Sequence, residues 1–122
     1  MNQRISSRVH SFKHAFAGIW YNLTSGPNFL IHIVCAILVV VAGWIFRVER
    51  NEWIILILTI GAVLSAEAMN TAVEKICNRF LKEKDPYVKI IKDSAAAAVL
   101  IISLAALVIG LLVFVPYLVE LF

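Results

Sequence analysis

The chain has 122 residues, 61% of them apolar and 16% charged, with a mean hydropathy of +0.89 and a formal net charge of +3. A soluble domain of this size is about half apolar and a quarter charged. The composition therefore excludes a water-faced enzyme, and its apolar content excludes a disordered chain. The basic residues lie beside apolar runs, so they report orientation in a bilayer rather than contacts to nucleic acid.

The first residues, MNQRISSRVHSFKHAFAGIWYNL, hold no continuous apolar run and no small-residue cleavage site, so a removable signal peptide is not expected. Ile5, Val9, Phe12, Phe16, Ile19, Trp20 and Leu23 recur at spacings of three and four, while Arg4, Arg8, His10 and Lys13 fall mostly off that stripe. This predicts an amphipathic helix over 5–24, lying along the membrane surface with Trp20 and Tyr21 near the headgroups. An ordinary helix packed on other protein is the alternative. Ser25-Gly26-Pro27-Asn28 then breaks the helix.

Three apolar segments follow. The first span is 29–46, with His32 as its one titratable group. Arg47 to Glu52 is a short polar turn that sends the next helix back antiparallel. From Trp53 the chain is apolar or small only as far as Ala66. Spanning takes about 20 residues, so this helix continues through Glu67 toward Val73 and places a carboxyl group inside the membrane. With its cytoplasmic extension it covers 53–80. The polar stretch from Glu74 to Asp93 is expected to carry the next loop, and 94–118 forms the third span. The whole of 1–122 reads as one membrane domain. Cys35 and Cys77 match no metal-ligand or redox spacing and read as reduced structural residues.

Lys and Arg concentrate before the first span (Arg4, Arg8, Lys13) and between the second and third (Lys75, Arg79, Lys82, Lys84, Lys89, Lys92). The turn between the first two spans carries Arg47 and Arg50 alone. The N terminus and the longer loop are therefore expected in the cytoplasm.

The chemistry concentrates in Glu67-Ala68-Met69-Asn70-Thr71-Ala72-Val73-Glu74. At about 100° per residue Glu67, Asn70 and Glu74 share one helix face. Glu67 lies roughly 10 Å deeper than Glu74, which sits near the boundary. An ionised carboxylate in hydrocarbon costs at least a few kcal/mol, so Glu67 needs a partner, a wet cavity or an attached proton. A general base or proton carrier fits that position, as does a protonated packing residue bonded to Asn70 or to a neighbouring helix. Lys92-Asp93 forms a second polar cluster at the expected start of the third span. Alone it reads as an anchor and a cap. Together with Glu67, Asn70 and Glu74 it could surround a phosphate-bearing ligand and its metal. Ser94 to Ala98 is a run of small residues that lets helices approach closely. No P-loop, protein-kinase glycine loop, HExxH or GxSxG is present.

The order Glu52-Trp53, then Glu67-x-x-Asn70-Thr71-Ala72-Val73-Glu74, then Lys92-Asp93-x-Ala95-Ala96-x-Ala98-Val99-Leu100 resembles the small bacterial integral-membrane diacylglycerol kinase family, which includes undecaprenol kinases. Arg8-x-x-Ser11-Phe12-x-x-Ala15-x-x-Gly18 looks like its N-terminal amphipathic helix, and Asn28-Phe29-x-Ile31-His32 like the start of its first span. The resemblance implies an all-α homotrimer of three-span protomers with surface helices, in the bacterial inner membrane, whose active sites draw on neighbouring chains. It implies transfer of the γ-phosphoryl group of ATP to diacylglycerol or undecaprenol, with Mg2+ on the phosphates. By the same resemblance Glu67 matches the general base toward the lipid hydroxyl, and Glu74 matches a metal-holding residue at the nucleotide. Lys92 and Asp93 match nucleotide contacts, and Asn70 matches a supporting residue of the substrate site.

Three positions depart from that pattern. Gly26 stands where a second metal-binding Glu is usual, Leu30 where an Arg commonly follows the Phe, and Asn78 where an acidic residue is expected. Losing one of two carboxylates weakens hold on a divalent cation. An impaired or inactive homologue with a structural or regulatory membrane role is thus the alternative to an active kinase. A proton-coupled transporter built around one buried Glu would leave Lys92-Asp93 without a role.

Overall fold

The computed structural model describes residues 2–82 and 84–122, with side chains described from Ser7 onward except at Pro27. Arg4 and Ile5, at the head of the predicted amphipathic stripe, are among those whose side chains lie outside the description. Four helices follow in chain order: α1 (Asn2–Ser25), α2 (Pro27–Phe46), α3 (Arg50–Phe80) and α4 (Pro86–Val119). No strand occurs among the described residues. The last three helices are long and apolar enough to cross a membrane. The chain is an all-α membrane protein with an amphipathic N-terminal helix and three spanning helices.

Local chemistry explains each break. Gly26 closes α1 by donating its N–H to the Asn22 carbonyl at 3.0 Å. Pro27 opens α2 at a position whose N–H has no intrahelical partner to lose. At the far end of α2, Arg47 takes the left-handed conformation (φ 54°, ψ 47°), and the Val48 N–H returns to the Gly43 carbonyl at 3.1 Å. Glu49 then caps α3 through a reciprocal box: the Glu52 carboxylate accepts from the Glu49 N–H at 2.9 Å, and Glu49 in turn accepts from the Glu52 N–H.

The region after Phe80 is more helical than expected. Helix α3 runs on to Phe80 and α4 begins at Pro86, so the connection is only the short segment 81–85. The α4 cap is Asp85, whose Oδ1 accepts from the Tyr87 N–H at 2.9 Å, with Pro86 supplying the first helical position. Asp93 is therefore not a cap. It lies on the helix body beside Lys92.

α3 and α4 pack antiparallel and most extensively. Glu52 meets Tyr117 at one end and Asn78 meets Lys92 at the other. That register sets Ser103 at the level of Glu67. The tightest apolar core lies at the Tyr117 end, where buried Val48, Leu56 and Val113 are flanked by Phe46, Trp53 and Tyr117. Elsewhere the spans show large apolar side chains outward, such as Leu58 and Leu112. In a bilayer these faces meet lipid or other helices. The apolar stripe of α1 is likewise exposed at Val9, Phe12, Phe16, Ile19 and Trp20, which is the face a membrane surface would cover.

Candidate active site

Glu67 is 3% exposed, the least accessible charged residue among those described. It is held on α3 between Val63 and Asn70, both also buried. The Thr71 hydroxyl donates back to the Glu67 carbonyl at 3.1 Å, a bond that keeps Thr71 from competing for the carboxylate. Across the helix interface, His32 Nε2 of α2 stands 3.8 Å from Glu67 Oε2. That is a close ion contact when the imidazole is protonated, and too long for a hydrogen bond. The amides of Asn28 and Asn70 stand beside the same carboxylate, and Glu74 lies close enough for its charge to be felt there. Glu67 thus points into protein, toward polar partners from two helices. It does not face bare acyl chains.

Asn70 is 6% exposed, and its Oδ1 has no hydrogen-bond partner among the described residues. A buried carbonyl oxygen left in this state costs stability unless something else donates to it. Glu74, one turn further along α3, is exposed. Another turn on, Asn78 accepts a hydrogen bond from Lys92 Nζ at 3.0 Å, joining α3 to α4. The amide at position 78 therefore still engages the lysine that an acidic residue would have held as an ion pair. Asp93 accepts from Lys89 Nζ at 2.6 Å on the exposed side of α4. Among the described residues no polar contact joins Lys92 or Asp93 to Glu67, Asn70 or Glu74. The five sequence-selected residues form a ladder along one end of the α3–α4 pair, rising about 16 Å from Glu67 to the level of Asn78 and Lys92. They do not form a closed cluster.

The residue pattern of the prokaryotic diacylglycerol kinase family matches residues 13–114, most of the chain. The chain belongs to that family. An undecaprenol kinase of Bacillus subtilis (strain 168) is 37% identical over 106 residues, covering 87% of this chain and 86% of the relative. A diacylglycerol kinase of Synechocystis sp. (strain ATCC 27184 / PCC 6803 / Kazusa) is 34% identical over 101 residues, covering 82% of this chain and 58% of that longer relative. Membership makes the chain a kinase of lipid metabolism, built in the membrane, with a nucleotide-dependent reaction.

Within this kinase, sequence reasoning overlooked two partners of Glu67. His32 is the one basic or acidic side chain of α2 and Asn28 stands at the start of that helix, yet a one-dimensional pattern does not say which face of α2 meets α3. A single charge-capable group within the apolar stretch of each of two adjacent helices was the available signal, because burying either without the other is costly. Gly26 also gains a structural meaning. A Cβ built there falls 2.9 Å from the Asn22 carbonyl oxygen, so any side chain, an acidic one included, has to move the α1–α2 junction.

Proposed function

We infer that this kinase transfers the γ-phosphoryl group of ATP to the hydroxyl of a membrane lipid, diacylglycerol or undecaprenol, giving phosphatidic acid or undecaprenyl phosphate. The observation that carries the reading is Glu67, a carboxylate about 10 Å below Glu74, sealed from solvent and set among polar groups of α2 and α3. Within hydrocarbon only an alcohol carried by a lipid reaches that depth. ATP stays at the water edge, beside Glu74, Lys92 and Asp93.

In this reading the lipid hydroxyl gives its proton to Glu67 as its oxygen attacks the γ-phosphorus, and the bond from that phosphorus to the ADP oxygen breaks. Asn70 holds the carboxylate from its own helix, and its unpartnered Oδ1 is free to take a donor when substrate or a second chain arrives. Lys92 presents a positive charge from α4 to the phosphates, and Asp93 contributes a nucleotide contact beside it. No group of three or more His, Cys, Asp or Glu side chains suited to a metal occurs among the described residues. A lone exposed Glu74 carboxylate suits Mg2+, which is commonly held by one or two carboxylates together with substrate phosphates. Glu74 would hold the ion on the ATP phosphates, where it supplies charge neutralisation during transfer.

The reading extends to the assembly and its setting. A homotrimer fits the exposed apolar faces of the spans and the open polar groups of the ladder. The basic residues around α1 and the segment 81–85 support an N terminus and α3–α4 connection on the cytoplasmic side of the bacterial inner membrane.

The test is phosphorylation of a mixed lipid panel by the purified protein with labelled ATP and magnesium. Glu67→Gln, which keeps shape and loses the base, is expected to lower kcat by about 10²–10⁴ while leaving the KM for ATP in place. Full turnover by Glu67→Gln removes the basis of the reading.

A further inference from the structure

A cleft of about 520 Å³ runs between α2, α3 and α4. One end is marked by His32 and Ser103, at the level of Glu67. From there it passes Cys35, Val63 and Gly110 to Leu118, near the Tyr117 end of the bundle. Along α4 the distance from Ser103 to Leu118 is about 22 Å. That exceeds half of a hydrocarbon core about 30 Å thick. Whatever fills the cleft from the His32 end therefore extends beyond one leaflet.

The lining chemistry restricts the occupant. The Thr59 hydroxyl is already given to the Ile55 carbonyl at 2.7 Å, whereas Ser103 Oγ, at the His32 end, is buried without a partner and is the one hydroxyl of the lining left to donate. Beyond the His32 end the walls are Ala, Val, Ile, Leu and Phe side chains, with Cys35 and Gly110. A glycerol diester brings two ester groups within a few bonds of its hydroxyl. With that hydroxyl at Glu67, two ester carbonyls would meet a lining whose one free hydroxyl donor is Ser103, leaving at least one of them against apolar wall. A prenyl alcohol carries hydrocarbon alone behind its hydroxyl, and a single chain matches a single cleft. The cleft reaches His32, whose Nε2 lies 3.8 Å from Glu67 Oε2, so an alcohol at that end is one side chain away from the carboxylate.

We propose that this cleft takes the tail of a polyprenyl alcohol as one chain, and that Gly110 sets the length it admits. The proposal rests on the lipid-kinase reading. Gly110 lines the cleft and a Cβ added there meets nothing within 4 Å, so the position has open space for a side chain to begin in. Gly110 lies about 10 Å past the level of Ser103. A plug at this point spares a short prenol and obstructs a long one.

The experiment compares the purified full-length protein with Gly110→Ala, Gly110→Leu and Gly110→Phe on undecaprenol, geraniol and dioleoylglycerol, reading kcat/KM for each lipid and KM for ATP. Wild type is expected to favour undecaprenol. Gly110→Leu and Gly110→Phe are expected to lose about tenfold or more on undecaprenol while keeping geraniol turnover and ATP KM. Gly110→Ala is expected to change little. Retained geraniol turnover also shows that each variant is folded. Equal loss on long and short prenols, with a changed oligomeric state, would mean that a helix of another copy fills the cleft and would overturn the proposal. Unchanged undecaprenol kinetics in the Phe variant, or wild-type preference for dioleoylglycerol, overturns it as well. A wild type inactive on all three lipids overturns the kinase reading itself, a result distinct from the others.

Discussion

The two ends of the α3–α4 pair are built on opposite terms. At the Tyr117 end, Val48, Leu56 and Val113 are buried together, Phe46 packs near Phe114 and Tyr117 with ring centroids 6.0 and 6.2 Å away, and the Tyr117 hydroxyl donates to Glu52 at 2.5 Å. Every polar group in that list has its partner within the chain. At the other end the polar groups are at least as numerous but looser: His32 and Glu67 stop at 3.8 Å, Asn70 Oδ1 has no partner, and Lys92 is held by a neutral amide. A region that only had to be stable would have closed such contacts or replaced them with hydrocarbon. One end fastens the helices, and the other leaves polar groups without partners in the chain, as the proposed site requires.

The contrast is broken most directly at Lys92. Lys92→Met keeps an aliphatic stem of similar reach and removes the charge. If this end serves phosphate binding, catalytic efficiency with ATP is expected to fall about a hundredfold, the scale of losing one charge-stabilising donor. Thermal unfolding in detergent is expected to shift little, since the lost contact is an exposed bond to an amide. A large drop in stability with activity preserved would assign Lys92 to the scaffold and erase the distinction between the ends.

The reverse experiment sits at Gly43, a buried residue of α2. A Cβ there falls 2.7 Å from the Trp53 ring, so the glycine allows α2 and the start of α3 to approach closely. Gly43→Ala is expected to cost about 1–3 kcal/mol of stability, the usual penalty of overfilling a packed contact. It should leave the ATP KM unchanged, because the proposed nucleotide site lies at the opposite end of the bundle. Equilibrium unfolding and steady-state kinetics on the same preparation read both quantities.

What the sequence disclosed follows the same divide. The spans were legible because lipid demands long apolar helices, and Glu67 stood out because a carboxyl group within such a run is expensive. The face shared by Glu67, Asn70 and Glu74 followed from helical periodicity, although burial of the first two and exposure of the third depend on what packs against them. Asp93 drew the role of a cap because the polar stretch before it reads as loop. The signal that decides the helix start was Asp85-Pro86, eight residues earlier. Contacts between helices were illegible in principle: nothing in one dimension links His32 to Glu67 or Glu52 to Tyr117. Such pairs depend on crossing geometry and register, which packing decides.

Tyr117→Phe is expected to have the smallest effect and gives the finest test of the comparison. The substitution deletes one hydroxyl and keeps the ring that packs near Phe46. Glu52 loses a donor but retains its bond from the Glu49 N–H, so the α3 cap survives. Water at the end of the bundle can solvate the freed carboxylate oxygen, which limits the penalty. The expected result is a fall of a few degrees in the unfolding midpoint, with lipid phosphorylation unchanged below that temperature. Measured together with Lys92→Met, it forms a two-by-two comparison of stability against turnover. If Tyr117→Phe lowers turnover at temperatures where the protein is fully folded, the two ends communicate, and the fastening at Glu52 helps set the geometry at Glu67.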